Sequence, residues 1–211
     1  QAYHAEWSTY YQGEEVLRRI RDQVDKRVRE QASTDGALRS LGWGGHGVLA
    51  GAVRRVLDEF RQKGWMDDDI DHDGNEDTDP IPRLDAYVQF FHEGLEWRKQ
   101  DRRGLCANQV LAVTKGLYRM HKLLKEIAPD KTVPDKVAKR WVYEALGMKP
   151  CTSRDWMRKG IESGYPWFVI SPEGLSTEPM WAADYGEVGG GAALLAELTG
   201  DPAVRRRAIE M

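Results

Sequence analysis

The densest cluster of carboxylates in the chain is the stretch DIDHDGNEDTD, which covers residues 69–79. Its first three aspartates stand at alternate positions, and Gly74 follows them. This spacing brings three oxygen ligands around one centre, and glycine permits the sharp turn between them. The sequence therefore predicts a bound divalent cation, with calcium as the expected ion. The predicted ligands are Asp69, Asp71, Asp73, Asn75, Asp77 and Asp79.

This acidic loop departs from a calcium-sensor loop at two positions. An EF-hand requires an apolar residue at its eighth position and glutamate at its twelfth, where this chain has Glu76 and Pro80. Asp77 and Asp79 would supply the missing carboxylate instead. We therefore expect a structural clip between two helices and not a sensor. The alternative is a solvated acidic linker between the same helices.

A second candidate site is the glycine-rich stretch GWGGHG, residues 42–47, immediately before a predicted helix. Glycines let a ligand approach the backbone, and the N–H groups at a helix N-terminus favour an anion such as a uronate carboxylate. His46 is the candidate catalytic residue of this stretch. Trp43 is a candidate substrate contact, because aromatic rings often line carbohydrate clefts. The alternative is a glycine-rich loop with a packing or capping histidine.

A third candidate is the stretch DRRGLCANQ, residues 101–109, at the start of another predicted helix. Gln109 heads the apolar stripe of that helix, where an amide needs a hydrogen-bond partner. The functional interpretation is that Asn108 and Gln109 hold a substrate carboxylate or hydroxyl, with Arg102 or Arg103 beside them. The alternative interpretation is a buried amide network.

The fourth candidate is AADYGEVGGG, residues 182–191, where Tyr185 and Glu187 precede a run of glycines. A tyrosine in this position can serve as a general acid or base, and Glu187 is a candidate substrate contact. The alternative is that Tyr185 packs against its neighbours.

The composition limits the classes of partner. The chain of 211 residues has 31 basic and 34 acidic side chains and a formal charge of -3. This near-neutral balance argues against a nucleic-acid binder, which normally has a basic excess. No apolar run approaches the roughly 20 residues that span a bilayer, so no membrane partner is expected. The length suits one domain, and we expect a single helical domain over residues 1–211 with the calcium-type loop at 67–80.

The cysteines and the first residue bear on processing and compartment. Cys106 and Cys151 are the only cysteines, and they have no metal-ligand spacing. They are either free and buried or joined in a disulfide, which requires an oxidising compartment. Because the first residue is Gln1, we expect a processed chain or a segment of a longer one.

Helical periodicity dominates the rest of the chain. Apolar residues recur every three or four positions in several charged segments, which places an apolar face on each helix. We expect one helix around 16–28, a second around 48–60 that ends near Gly64, and a third that begins at Pro82. A fourth covers 109–127, a fifth runs from Asp135 to Gly147, and another follows Ser153.

The pattern changes toward the end of the chain. The stretch GYPWFVISPEGLSTEP, residues 164–179, combines glycine, prolines and β-prone residues, so it predicts an extended segment or long loop. Helical signals then resume. Gly200 closes one helix, and Asp201 and Pro202 cap and open the next, which predicts a tight antiparallel helix turn.

Three stretches carry a resemblance to a known family: RRGLCANQVLAVTKGLYRMHKLL, YPWFVISPEGLSTEPMWAADYGEVGG and ALLAELTGDPAVRRRAIEM. Over roughly residues 40–211 the chain resembles the (α/α)-toroid polysaccharide lyases of the heparinase II/III-like type. The resemblance implies an all-α fold in which antiparallel helix hairpins form an (α/α) toroid or an incomplete part of one. The chain is short for a complete toroid, so further sequence or another chain is expected to complete the ring.

The resemblance also implies an activity, the cleavage of a uronate-containing polymer by β-elimination. Asn108 would neutralise the uronate carboxylate, His46 would be a second carboxylate partner or the base, and Tyr185 would transfer protons. Trp43, Arg103, Gln109 and Glu187 would contact the acidic polysaccharide. The Asn-His pair familiar in such enzymes is absent, because Gln109 follows Asn108. A secreted or periplasmic location is expected.

Two other functions remain open. A toroidal glycoside hydrolase needs two carboxyl groups roughly 5 to 10 Å apart. A non-catalytic carbohydrate-binding helical module is the third possibility. Elimination creates an unsaturated product that absorbs in the ultraviolet, whereas hydrolysis does not, so the products distinguish the enzymes. The candidate carboxyl groups for hydrolysis are Glu93, Glu96, Glu178, Asp184 and Glu187.

Overall fold

The computed structural model describes residues 13–32, 45–100, 102, 107–150, 170–174 and 185–211. Within these ranges the chain is mostly helical, which confirms the expected all-α class. The helices are α1 (Glu14–Ala32), α2 (Gly45–Arg55), α3 (Leu57–Gln62), α4 (Arg83–Gln100), α5 (Ala107–Ile127), α6 (Asp135–Ala145), α7 (Tyr185–Thr199) and α8 (Pro202–Glu210). A 3-10 turn covers Pro129–Lys131, and the two short strands are β1 (Asp69–Ile70) and β2 (Ile81–Pro82).

The predicted helices agree with these elements, with one division. The segment expected as a single second helix forms α2 and α3, because the chain bends at Val56, whose N–H bonds to the Val53 carbonyl at 3.1 Å. The predicted cap at Asp201 is confirmed, since its carboxylate accepts the Ala203 N–H at 2.8 Å. Gly200 has a φ of 62° and ends α7 as expected. The helix expected after Ser153 lies outside the described residues.

Helix α5 is the centre of the described core and contacts α2, α4, α6 and α7. Its buried residues occupy most of its surface, so it is covered by other helices on all but one side. Each fully buried leucine or methionine contributes roughly 1.5–3 kcal/mol relative to exposure. The largest of these side chains are Leu111, Leu117, Met120, Leu123 and Leu124.

Helices α2, α5 and α7 run in the same direction. Three contacts join α2 to α5 in the same order along both: Gly47 to Gly116, Gly51 to Arg119 and Arg54 to Glu126. Helix α7 follows α5 in the same way, because Leu111 lies near Gly191 and, further along both helices, the charge of Glu197 acts on Arg119. We call these three helices the first layer.

Helices α1, α4, α6 and α8 form a second layer that runs the opposite way. The side chains of His121 and Lys125, toward the end of α5, both contact Asp135 at the start of α6, so these two helices are antiparallel. Pairs of contacts that follow the same order along both helices show that α1 runs parallel to α4, α4 to α6, and α6 to α8. They are Asp25 to Arg83, Gln31 to Glu93, His92 to Lys131, Arg102 to Glu144, Lys139 to Asp201 and Leu146 to Arg207.

A buried arginine ties the second layer to the acidic loop. The guanidinium of Arg83 bonds to Asp25 on α1 at 3.1 Å, to Asp68 at 3.0 Å and to the Trp65 carbonyl. The hydroxyl of Tyr87 also donates to Asp25, at 2.7 Å. Strands β1 and β2 pair beside this cluster, which the sequence did not predict. The two ends of the acidic loop are therefore held together beside Arg83.

The contact between Gly47 and Gly116 yields a test with an internal control. A methyl group on Gly47 would lie 2.1 Å from the Gly116 Cα, whereas one on Gly116 would lie 3.6 Å from the Gly47 Cα. We expect Gly47→Ala to lose about 1–3 kcal/mol through overpacking. Gly116→Ala should stay within about 1 kcal/mol of the wild type, because the added methyl fits and alanine favours the helix.

Urea unfolding measures both free energies. Equal effects of the two substitutions would contradict the asymmetric packing of α2 on α5.

Candidate functional site

The predicted catalytic stretches lie in the first turns of the three helices of the first layer. Asn108 and Gln109 are in the first turn of α5, Tyr185 and Glu187 are in the first turn of α7, and His46 is in the first turn of α2. Because the three helices run in the same direction, their N-termini share one end of the layer. The predicted contacts Trp43 and Arg103 lie outside the described residues, as do the side chains of Asn108, Tyr185 and Glu187.

The three helix starts are not level with one another. Leu111 lies against Gly191, so the first turns of α5 and α7, with Asn108 and Glu187, occupy corresponding levels. Gly47 lies against Gly116, which places His46 level with the third turn of α5. His46 is therefore displaced from Asn108 by about 10 Å along the helix axis, at 1.5 Å per residue.

His46 belongs to a buried chain of hydrogen bonds. Its side chain is 1% exposed, and its Nε2 lies 2.8 Å from the Gln31 Oε1. The Gln31 amide in turn donates to the Glu93 Oε2 at 2.8 Å. Because the amide oxygen only accepts, Nε2 carries the proton and Nδ1 is the free acceptor. Among the described residues, Nδ1 has no hydrogen-bond partner.

The surroundings of His46 keep its ring neutral. Burial and, to a smaller degree, the charge of Arg98 lower the pKa of His46 from 6.5 to about 4. The ring stacks on Phe90 with centroids 4.8 Å apart. It also fills the space that a side chain on Gly94 would need, since a methyl there would lie 2.6 Å from its Cδ2. At neutral pH this histidine is an uncharged hydrogen-bond donor.

Arg102 has a structural partner, whereas the sequence left it as a neighbour of the amide pair. Its guanidinium donates to the buried Glu144 at 2.8 Å, and the same carboxylate accepts from Arg140 at 2.8 Å. This pairing joins the end of α4 to α6. Breaking one member of such a buried ion pair costs about 3–5 kcal/mol, so Arg102 holds the second layer together.

Helix α5 has one side that the other described helices leave partly open. Ala112, Lys115, Arg119 and Lys122 lie on this side and are half-buried. Their spacing of three and four residues places them on one face, and Asn108 falls on the same face by its position. We call Lys115, Arg119 and Lys122 the basic stripe. The i, i+4, i+7 spacing of these three cations is visible in the sequence, but the basic stripe was not among the predicted sites.

Two residues of neighbouring helices flank the basic stripe. Burial and the charge of Arg55 on α2 lower the pKa of Arg119, while Glu197 on α7 opposes that effect. The charges of Arg55 and Glu197 therefore act on Arg119 from the two helices beside α5. The face combines positive charge with the predicted Asn108, which suits an anionic ligand.

The acidic loop lies between α3 and α4 and contacts the last turn of α1 through Arg29. Its side chains bond to its own backbone: Asp71 accepts the Gly74 N–H at 2.6 Å, Asp73 accepts the Asn75 N–H at 3.0 Å, and Asn75 accepts the Asp77 N–H at 3.1 Å. The Asn75 N–H holds the pKa of Asp73 below its ordinary value. Gly74 has a φ of 71°, as the predicted sharp turn requires.

The loop as it stands is closed by protein contacts. The Asp71 carboxylate lies 3.2 Å from the Arg29 Nε on α1. Among the described residues, which include the whole loop, no group of three or more histidine, cysteine, aspartate or glutamate side chains is arranged to hold a metal. Arg29 would compete with a calcium ion for the Asp71 carboxylate, and the predicted calcium site stays a prediction.

Comparisons with known proteins do not assign this chain to a family. Neither the family models, nor the curated proteins, nor the solved structures yielded a match. Of the helices that the structure describes, none is long and apolar enough to cross a bilayer.

The buried histidine predicts a dependence of stability on pH. The pKa of His46 is lower in the folded chain than in the unfolded chain, so the unfolded state gains protons first as the pH falls below 6.5. His46 therefore costs the folded state about 2 kcal/mol between pH 7.5 and pH 5, and the loss levels off near pH 4.

The free energy of unfolding should accordingly vary less with pH in His46→Gln than in the wild type. His92→Gln is the matched control, because His92 is half-buried and bonds through Nδ1 to the Lys131 carbonyl. An unchanged pH profile in His46→Gln would argue against a neutral buried ring.

The acidic loop has its own test. If it binds calcium, a calcium concentration of 100 times Kd should stabilise the fold by about 2.7 kcal/mol, and chelation should remove the gain. Asp71→Ala and Asp73→Ala should abolish the response, whereas Asp85→Ala, outside the loop, should keep it. A melting temperature that does not change when a chelator is added would contradict the predicted calcium site.

Proposed function

We propose that the chain is a polysaccharide lyase that cleaves a uronate-containing polymer by β-elimination. The observation that carries the proposal is the arrangement of the first layer. The neighbouring helices α5 and α7 begin at one end with the predicted Asn108 and Tyr185 stretches, and a face with basic side chains leads away from it. An anionic polymer is the class of substrate that such a face suits best.

The two layers favour an (α/α) toroid as the architecture. In such a ring, the chain alternates between outer and inner helices, so that all inner helices run one way and all outer helices the other. The described chain alternates in this order, from α1 to α2, α4 to α5 and α6 to α7. We propose that the first layer is the inner wall of the toroid, which further sequence or another chain completes.

The chemistry begins with the proton at C5 of the uronate. This proton is weakly acidic beside an ionised carboxylate, so neutralising that charge and stabilising the enolate-like intermediate dominate catalysis. In the proposal, Asn108 and Gln109 donate hydrogen bonds to the carboxylate. Gln109 is half-buried in the first turn of α5, which suits an amide held in place by its surroundings.

Tyr185 performs the proton transfers in this proposal. Its phenolate removes the C5 proton, the electron pair forms the C4–C5 double bond, and the C4–O bond breaks. The leaving oxygen then takes a proton from the phenol. Tyr185 and Asn108 lie on neighbouring helices at corresponding levels, which favours this pairing.

His46 has a different role from the one expected of it as a base or carboxylate partner. With 1% exposure and a pKa of about 4, its ring is neither accessible nor charged at neutral pH. We therefore assign His46 to holding α2 against α1 and α4 through Gln31. Trp43, Arg103 and Glu187 remain proposed substrate contacts, and we propose a secreted or periplasmic location, which a polymeric substrate favours.

The proposal is tested by incubation with polyglucuronate, alginate and glycosaminoglycans while ultraviolet absorbance of the unsaturated product is followed. Asn108→Ala should lower turnover by about 100-fold or more, as for removal of one preorganised donor. Tyr185→Phe should abolish turnover but keep binding, because only the phenolic oxygen that accepts and returns the proton is lost.

Matched substitutions elsewhere in the chain serve as controls. Asn75→Ala changes an amide in the acidic loop, and Tyr118→Phe changes a buried phenol in the middle of α5. Both should retain activity. New reducing ends without ultraviolet absorbance would replace the lyase by a hydrolase, and binding without any product would replace it by a carbohydrate-binding module.

A further inference from the structure

Three side chains at the junction of α5 and α6 form a chain of hydrogen bonds that the proposed function does not use. The Thr132 Oγ1 lies 3.0 Å from the His121 Nδ1, and the Asp135 Oδ1 lies 3.1 Å from the His121 Nε2. His121 follows Asn108 on α5 by thirteen residues, which is about 20 Å along the helix axis. This cluster is therefore separate from the proposed lyase site.

The hydrogen bonds of the cluster have one direction of donation. An ionised carboxylate only accepts, so the His121 Nε2 carries a proton and donates it to Asp135. The Nδ1 is then the acceptor, and the Thr132 hydroxyl donates to it. In serine proteases the two ring nitrogens have the opposite partners, but either nitrogen of a neutral imidazole can accept a proton. The order of hydroxyl, imidazole and carboxylate is that of a nucleophile, a base and a group that orients the base.

The surroundings keep the imidazole neutral and fix its orientation. His121 is buried, and burial lowers its pKa below 6.5, although Asp135 opposes this effect. Lys125 bonds to the other Asp135 oxygen, Oδ2, at 2.6 Å and lowers the pKa of that carboxyl. The ring of Tyr118 meets the imidazole edge-on, with centroids 5.8 Å apart. At neutral pH the Nδ1 is therefore available to take the hydroxyl proton.

The hydroxyl end of the cluster is the end that a small substrate can reach. Thr132 is half-buried, whereas His121 lies buried behind it. Helix α6 begins three residues later with Pro134 as its N-cap, and among the described residues no side chain caps its first turn. Uncapped N–H groups at a helix start stabilise a developing oxyanion. The N–H groups of Asp135 and Lys136 are the nearest such donors along the chain.

We propose that Thr132 is an activated nucleophile with which the chain hydrolyses small acyl esters. His121 is the general base, and Asp135 is a positioning residue that holds the imidazole in the required tautomer. This activity rests on the three side chains alone and not on the proposed lyase function.

The reaction proceeds through an acyl group on the threonine. The Thr132 Oγ1 bonds to the ester carbonyl carbon while its proton passes to the His121 Nδ1. The bond from that carbon to the alcohol oxygen then breaks, and the alcohol leaves with the proton from Nδ1. Water attacks the acylated Thr132 in the same way, which releases the carboxylic acid and restores the hydroxyl.

The experiment measures release of nitrophenolate from p-nitrophenyl acetate by the full chain at neutral pH. Thr132→Val replaces the hydroxyl by a methyl group of similar size and should remove the activity, whereas Thr132→Ser should retain it. His121→Gln keeps a polar side chain without a base and should lower the rate by about 100-fold or more. Asp135→Asn should lower the rate more than Asp135→Glu, which keeps a carboxylate.

Covalent labelling identifies the nucleophile in the wild type without any substitution. A fluorophosphonate should leave a phosphonyl group on Thr132, because the hydroxyl oxygen attacks phosphorus and fluoride departs. Mass spectrometry of the digested chain locates this group.

Two substitutions in the acidic loop serve as matched controls. Thr78→Val removes an exposed hydroxyl that accepts from Asn75 at 3.0 Å, and His72→Gln removes another imidazole. Both variants should keep the rate of ester hydrolysis and the label on Thr132.

The outcomes that overturn the proposal are distinct. An unlabelled Thr132 in the wild type, or a wild-type rate in Thr132→Val, would overturn the nucleophile. A labelled Thr132 without turnover of the ester would overturn the hydrolysis. Equal rates in Asp135→Asn and Asp135→Glu would overturn the positioning role. If a variant melts below the wild type, the label on the wild type decides.

Discussion

The arrangement of the helices depends most on one backbone contact, in which Gly47 of α2 packs directly against Gly116 of α5. The two main chains come close enough that the axial position of α2 on α5 is fixed to within a fraction of a turn. This position determines that Gly51 lies under Arg119 and that Arg54 reaches Glu126. Since α5 also contacts α4, α6 and α7, a shift of this one contact would change the levels of most helices in the described core.

The near-neutral net charge conceals a separation of charges in space. The densest group of aspartates is the loop between α3 and α4, which contacts the last turn of α1 through Arg29. The basic stripe lies on the open face of α5, and the helix N-termini add their own positive ends. A formal charge of -3 therefore argues against nucleic acid for the whole chain, yet one face of α5 carries three cations at helical spacing.

The sequence was sufficient for the helices and insufficient for their mutual positions. Helical periodicity and capping residues such as Asp201 involve neighbours within a few positions of the chain, so the local sequence predicts them. The depth of His46 depends on Gln31, Phe90 and Gly94, which come from α1 and α4, and no local pattern encodes that. The sequence identified Asn108 and Tyr185 as candidate catalytic residues. That the first turns of their helices lie at corresponding levels follows only from the contact between Leu111 and Gly191.

Because β1 pairs with β2, the length and sequence of the acidic loop between them can change while its two ends stay in place. Its two ends are joined by the antiparallel bridge of Ile70 to Ile81, and Arg83 secures the junction from the protein side. Entropy then penalises a longer loop only weakly, by about 0.6 kcal/mol for each doubling of its length. Evolution can lengthen, shorten or exchange this segment without moving a helix, so relatives of this chain should vary most between Asp71 and Pro80.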